Sequence, residues 1–421
     1  MLLNVAFLDV LHGDSIVATF DNDGTKACIV VDGGETREAA KRLSAYLKHE
    51  QVETIDLLVA THIDADHVNG LVNLLKHESN GTNSWNKGRQ KCIRYYWGPK
   101  ANPNWTQEQK VATGVRRRGI TSKRDKMTFI AQSVEQNQTL NDLVKQHIIN
   151  TDNMFYPSLQ DKPLLRLFED MNIDLLAPDR QIMDSEILKK AMTVVNVHAL
   201  GEMAQDSHVK KGPLTLQDIV NIVDSNAEHM AEIAKRTANN QSIVIKLTPK
   251  STRAKKWSFL LTGDAEHESW EMIRSNATVK RKLKSKVLKV PHHGSVNGID
   301  QSTFTKIQPQ FCVISVGQKH GLPDAPTLNL IKSRKYTKLF CTQRNSDPKN
   351  PGPCMNKSHC VRKTKSAFRS LRFEIDLKTG GEHIRTFQFY SRNQNIKFVK
   401  EELWCPETQW QTLSCCHHRQ K

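Results

Sequence analysis

The chain has 421 residues, 38% of them hydrophobic, and its 61 Lys and Arg against 44 Asp and Glu leave a formal charge of +17. That is a globular composition with apolar material for one large or two ordinary domains. No stretch approaches 18 uninterrupted apolar residues, and the opening MLLNVAFLDV has no basic leader, so the reading excludes a membrane span and a signal peptide.

The positive balance makes nucleic acid the leading class of partner, with solubility as the plainer explanation. Nine cysteines, an odd number mostly without framework spacing, fit a reducing, cytoplasmic setting better than a disulfide framework.

In chain order, Asn4 to Val10 and Ser15 to Phe20 alternate apolar and polar residues as two strands would, joined by the turn His12-Gly13-Asp14-Ser15. Ala27 to Val31 is a third apolar run, ending in Asp32-Gly33-Gly34, where two glycines permit a sharp turn. Ala39, Leu43, Tyr46 and Leu47 then recur at helical spacing. Next comes the buried-strand pattern Ile55 to Ala60, which delivers THIDADHVNG. Four potential ligands, His62, Asp64, Asp66 and His67, fall within six residues there. A tight turn at a strand end can gather them for two metals, and their mixed nitrogen and oxygen donors suit zinc or manganese better than calcium. The plainer reading is a strand-to-helix turn with Asp66 as a cap for the helical pattern Val68, Leu71, Val72 and Leu75.

Residues 78–238 read as an insertion. Its first part interleaves Trp85, Arg89, Arg94, Tyr95, Tyr96, Trp97 and Trp105 with lysines, and then carries Arg116, Arg117, Arg118, Lys123 and Arg124. Cations neutralise phosphates while rings stack on bases, as a single-stranded groove requires; a solvated insertion with its aromatics packed beneath is equally open. Ala131 to His147 and Leu214 to Ala234 follow helical patterns, Ile173 to Leu176 is strand-like, and His198 and His208 are conceivable further ligands in this region.

Asn239 to Ile245 opens a second apolar series. Trp257 to Leu261 runs into Thr262-Gly263-Asp264, which sets a carboxylate at a strand end where it could bridge two cations, and Val287 to Val290 runs into Pro291-His292-His293-Gly294. One imidazole of that pair can bind a metal while the other orients or protonates a leaving group. The working assignment gives His292 to the metal and His293, with Asp66, to catalysis; the sequence leaves the order open. Phe311 to Val316 is a further strand, followed by His320-Gly321-Leu322-Pro323-Asp324. Cys341, Cys354, His359 and Cys360 lie in a loop at 341–366 without a standard zinc spacing. Ser370 to Leu377 and His383 to Tyr390 form a candidate hairpin, and 393–421 read as a tail with Cys415, Cys416, His417 and His418.

THIDADH resembles the HxHxDH signature of the metallo-β-lactamase superfamily, with Asp64 where a second His is commoner. That form, together with HGDS, the Asn239-Asn240 strand entry, LLTGDAE and VLKVPHHGS, resembles the hydrolase domain of the ComEC DNA-uptake proteins and their soluble relatives, without the membrane channel. The resemblance implies an α/β, four-layer αββα fold over 1–77 and 239–392 and two divalent ions, Zn or Mn. It gives Asp14 and Asp32 supporting roles beside ligands His62, Asp64, Asp66, His67, Asp264 and His292. It also implies hydrolysis, of a phosphodiester in DNA or RNA. Two departures stand out. Leu11 and His12 occupy the places of a Gly and a Gln, and Leu322 that of a His, so that either His320 or Asp324 substitutes, the second ion is held loosely, or the enzyme is impaired. The alternatives are accordingly a weakened nucleic-acid-binding subunit acting with a protein partner, or a hydrolase of nucleotides, esters or lactams.

Overall fold

The computed structural model describes residues 1–22, 24–78, 85, 91–99, 125–159, 171–178, 239–317, 321–342, 370–389 and 396–404. Among them, two sheets form. The first runs β15-β14-β13-β1-β2-β3-β4-β5-β6 and the second β12-β11-β10-β9-β8-β7. In the first sheet β1 is Leu2–Phe7, β2 Ile16–Asn22, β3 Thr25–Val31, β4 Ile55–Val59, β5 Ile93–Trp97, β6 Met154–Phe155, β13 Ser370–Asp376, β14 Glu382–Phe389 and β15 Ile396–Trp404. In the second, β7 is Met171–Ala177, β8 Val244–Pro249, β9 Phe259–Leu261, β10 Val287–Lys289, β11 Phe311–Ile314 and β12 Lys338–Cys341. The helices are α1 Arg37–His49, α2 Ala65–Glu78, α3 Asp125–His147, α4 His267–Ser275, α5 Ala277–Lys280, α6 Gln301–Ile307 and α7 Ala325–Lys332.

The side-chain period of two sorts these elements into layers. Leu3, Val5 and Phe7 of β1 face the other sheet, where they meet Ile245, Phe259, Val287 and Phe311 in one core. At its centre Trp257 stacks 5.7 Å from Phe311, and Phe373 stands edge-on 5.6 Å from Phe259. Each such ring, taken fully out of water, stabilises the fold by about 1.5–3 kcal/mol. Residues of the opposite parity, Ala6, Val30 and Leu58, pack against Leu43, Leu47, Leu71 and Leu75 of α1 and α2. Leu260, Leu288 and Cys312 do the same against Trp270, Phe304 and Leu328 of α4, α6 and α7. The order helix, sheet, sheet, helix is consistent with the four-layer arrangement that the resemblance implies. Local signals agree with it: Thr36 caps α1, its hydroxyl accepting from Ala39 N at 3.1 Å, as a Thr ahead of an amphipathic run should.

The stretch 78–238 differs from the expectation. Its described residues supply β5 and β6 to the first sheet and β7 to the second, so they are woven into the fold. Trp85, Tyr96 and Trp97 are each at most 3% exposed, and Arg94 reaches Asp56 at 2.8 Å; these rings are core and cannot stack on bases. A strand with buried aromatics and an outward cation has the same composition as a nucleic-acid groove, which is why the sequence alone did not separate them. Likewise, 396–404 of the expected tail pair with β14. The runs Arg116, Arg117, Arg118, Lys123 and Arg124, the helix at 214–234, His198, His208, Cys354, His359, Cys360 and the terminal Cys415 to His418 lie outside the described residues. Cys341 is buried in the apolar layer under α7. No helix among the described residues is long and apolar enough to cross a membrane.

Candidate metal centre

Strands β3 and β4 run parallel, as do β9 and β10, so the turns that follow them emerge on one edge of each sheet. Close backbone contact fixes the turn after β4. Gly33 N donates to His67 O at 2.8 Å and Gly70 N to Gly34 O at 2.7 Å. A Cβ on Gly70 would fall 1.7 Å from Gly33 O, so only glycine lets α2 press against the end of β3. Asp64 O accepts from the amides of His67 and Val68 and thereby starts α2 with Asp66 and His67 in its first turn.

Asp66, His67, Asp264 and His293 bring four donor atoms within 4.8 Å of one another, all of them buried. His293 Nε2 lies 3.2 Å from Asp66 Oδ2 and 3.3 Å from Asp264 Oδ2, and His67 Nε2 lies 3.3 Å from Asp264 Oδ2. Two ligands of one tetrahedral ion with bonds of about 2.0–2.1 Å are separated by about 3.3–3.5 Å, and these separations fit. The imidazoles are oriented from behind: His67 Nδ1 donates to Asp32 Oδ2 at 2.8 Å and His293 Nδ1 to Ser315 O at 2.8 Å. This leaves Nε2 of each as the lone-pair donor. Both Nε2 atoms are buried without a well-aligned hydrogen bond, as is expected where a cation completes the set.

The charges point the same way. Burial would lower the pKa of His67, but the carboxylates of Asp264, Asp32 and Asp66 outweigh it and hold it well above the ordinary value. Burial opposes His293 too, yet Asp264, Asp66 and Asp14 push it up to about 10. Burial would raise Asp66 and Asp264, and the neighbouring imidazoles, with Lys289 beside Asp264, draw both well below the carboxylate range. His62 goes down, through burial and then through the charge of His67.

A second grouping of Asp14, Asp32 and His67 is better read as support than as a seat for an ion. Asp32 accepts from Thr61 N at 2.8 Å, from Thr61 Oγ1 at 2.7 Å and from His67, while Asp14 is ion-paired with the buried Lys289. Asp32→Ala is therefore expected to weaken metal binding about 10- to 100-fold by releasing His67. Competition against a chelating dye measures it, and an affinity within twofold of wild type would show that Asp32 steers nothing.

His62 and Asp64 are 3.8 Å apart, with the ring of His62 4.2 Å from that of His67. Among the described residues, no third donor closes them into a group. The working order of the histidine pair is not the arrangement found: His293 joins the cluster, whereas His292 Nδ1 faces Glu266 Oε1 at 3.0 Å. Both residues have positive φ, 48° and 51°, which turns consecutive side chains in directions no regular element would give. Asp324 does not reach the cluster; its Oδ2 accepts from Val296 N at 2.7 Å and its amide donates to Gly294 O at 3.0 Å, which ties the turn to the His292 loop. Leu322 packs in the apolar layer, and His320 lies outside the described residues.

Three participants had not been singled out from sequence. Lys289 follows the inward parity of Val287 and is fully buried, its Nζ 2.8 Å from Gly263 O and 3.4 Å from Asp264 Oδ1. A charge inside VLKV was the available signal. Glu266 also holds Asn239 at 3.0 Å, and His12 comes within 3.3 Å of Asp66 Oδ2.

No curated protein matches the chain. Residues 8–82, which carry β2 to α2 and the turn from His62 to His67, match the family model of the Metallo-beta-lactamase superfamily, and two packed sheets flanked by helices are consistent with that fold.

Proposed function

We propose that the protein is a metal-dependent hydrolase of phosphodiesters, with nucleic acid as its substrate class, two ions of Zn or Mn as its cofactors, and kinship to the soluble relatives of the ComEC hydrolase domain. The observation that carries the reading is the buried convergence of Asp66, His67, Asp264 and His293. When bound, a divalent ion would supply Lewis acidity to a phosphoryl oxygen and lower the pKa of water toward about 7. Asp66, His67, Asp264 and His293 would hold the first ion, and His62 and Asp64 would begin the second seat. His292, 3.0 Å from Glu266 Oε1 and with 17% of its side chain exposed, is the residue we assign to the leaving group, which inverts the working order.

The polyanion part of the proposal is supported by the +17 balance and by a concavity lined by Arg274, Lys280, Arg281, Lys284 and Lys306. Arg116, Arg117, Arg118, Lys123 and Arg124 are proposed as further phosphate contacts. Reversing those five charges should weaken binding of long DNA or RNA for all sequences alike while leaving turnover of a small activated phosphodiester near wild type, since phosphate contacts supply affinity and position. Metal-loaded protein that cleaves no phosphodiester, long or small, would overturn the assignment and turn attention to ester or lactam substrates. The binding-subunit reading draws on Leu322 and on the unclosed His62 and Asp64 pair. Less than about one ion per chain after expression with ample metal would favour it.

Metal uptake is also expected to release protons. The carboxylates around them hold His67 above its ordinary value and His293 at about 10, and an imidazole must be neutral to bind an ion, so uptake displaces protons. Apparent affinity should therefore rise as pH is raised through neutrality. Calorimetric titration in two buffers of different ionisation heat counts the protons, and a count of zero would show that neither imidazole is protonated before the ion binds.

A further inference from the structure

We propose that Lys280, Arg281, Lys284 and Lys306 form a second phosphate-binding site, remote from the metal centre, which holds the sugar-phosphate backbone of a nucleic acid; it rests on the nucleic-acid reading above and is independent of the metal. Arg274, Lys280, Arg281, Lys282, Lys284 and Lys286 are six cations among the thirteen residues 274–286, with no Asp or Glu between them, in a chain that has 61 in 421. Three of the six are already engaged. Arg274 is paired with Asp300, Lys282 with Asp174 at 2.6 Å, and Lys286 lies over the Trp257 ring and 3.4 Å from Glu382. The other three, with Lys306 from α6, line a concavity of about 550 Å³. Among the described residues none of these four has a carboxylate within ion-pair distance. Lys280, Arg281 and Lys284 are exposed and Lys306 is half-buried.

The backbone holds these charges together. Asn276 accepts from Thr278 N at 3.1 Å and Val279 N at 3.2 Å. Lys280 N donates to Asn276 O at 2.9 Å, and Val279 and Leu283 are buried, which turns the cations between and beside them outward. Ser285 N donates to Ile307 O at 3.0 Å and sets this loop against the end of α6, so Lys306 joins the group. The carbonyls of Lys282 and Lys284 each accept from Lys246 Nζ at 2.8 Å, so oxygens that would repel an anion are covered by a further ammonium. A concave surface lined by one sign of charge focuses its field and gathers counter-ions of the other sign.

Its place in the fold defines what it can do. Strands β9, β10 and β11 are parallel. Asp264 and His293 follow the ends of β9 and β10, whereas the concavity is built where α4 and α6 end and β10 and β11 begin, at the opposite edge of the sheet. Nine residues separate Lys284 from His293 (293 − 284), at most about 30 Å of extended backbone. A duplex advances about 3.4 Å per base pair, so about nine base pairs reach from one site to the other. The concavity therefore adds affinity for long substrates and leaves the chemistry at the metal centre untouched.

The test sets Lys280→Gln, Arg281→Gln, Lys284→Gln and Lys306→Gln together against a control of equal charge change, Lys41→Gln, Lys250→Gln, Lys255→Gln and Lys378→Gln, all exposed positions. Binding of a labelled DNA duplex of about 20 base pairs and an RNA strand of about 20 nucleotides is followed by fluorescence anisotropy in chelator, over a range of salt. The concavity variant is expected to melt as the wild type does and to bind at least about tenfold more weakly at about 0.1 M salt. Its log-log salt slope should fall by up to about 3.6 for the duplex or about 2.8 for the strand, at about 0.9 and 0.7 for each of four lost contacts. The control should stay within about threefold. Equal weakening in both variants, or undiminished binding by the concavity variant, overturns the concavity alone. So does a parallel loss in turnover of a small activated phosphodiester, which cannot span the two sites. A wild type that binds neither probe at about 0.05 M salt overturns the nucleic-acid reading itself. Should the fourfold variant melt early, Lys280→Gln with Lys306→Gln replaces it, and unchanged binding by that pair also overturns the proposal.

Discussion

Protein carrying Asp66→Ala together with His67→Ala is expected to fold, to bind less than about one-tenth of the wild-type metal, and, on the proposed activity, to hydrolyse phosphodiesters at below about one-thousandth of the wild-type rate. The two substitutions remove half of the four-donor cluster. They also remove the imidazole that accounts for one of the hydrogen bonds of Asp32, which keeps its two from Thr61. The remaining pair, Asp264 and His293, cannot enclose an ion, and without one nothing at the site would lower the pKa of water toward neutrality. A thousandfold loss corresponds to about 4 kcal/mol of barrier, well inside what that change can supply. Folding is read by circular dichroism and thermal melting, metal by elemental analysis and cleavage by a labelled substrate. Cleavage that survives in the double variant, with the fold intact, would sink the catalytic assignment of this cluster.

The chemistry of the site was legible where reactive residues follow an apolar strand directly, because a buried strand end leaves such residues little choice of location. THIDADH after Ile55 to Ala60, Asp264 after Phe259 to Leu261, and His292-His293 after Val287 to Val290 are all of this kind. The layered α/β order was implied by the family resemblance that these motifs carry, and Asp32, at the end of the third apolar run, accepts from His67. What was not legible depends on contacts between distant segments. The direction of each histidine in the pair is set by two consecutive left-handed backbones, which no periodicity announces. Arg94 to Trp97 read equally as part of a groove and as a solvated insertion with its aromatics packed beneath, and only pairing with β4 and β6 makes them a strand. His12 lies 54 positions from the Asp66 it approaches (66 − 12), and nothing in HGDS says that the turn folds over the α2 terminus.

Lys289→Met is expected to destabilise the metal-free protein by about 3–5 kcal/mol, and the metal-loaded protein by at least about 1 kcal/mol less. Lys289 is fully buried, and its ammonium is paired with Asp14, with Asp264 Oδ1 at 3.4 Å and with Gly263 O at 2.8 Å. Burial would lower its pKa, but Asp14 and Asp264 outweigh that and raise it, so it remains a cation among Asp14, Asp32 and Asp264. Methionine fills nearly the same volume without the charge, and removing one member of a buried ion pair costs about 3–5 kcal/mol because its partners stay buried and uncompensated. A divalent ion on Asp66 and Asp264 brings positive charge back to the same few ångströms, and by linkage the variant should gain more from metal than the wild type does. Urea unfolding in chelator and in saturating Mn2+, analysed by linear extrapolation, measures both differences. If the loss is the same with and without metal, Lys289 serves packing alone and the cluster it borders does not sense the ion.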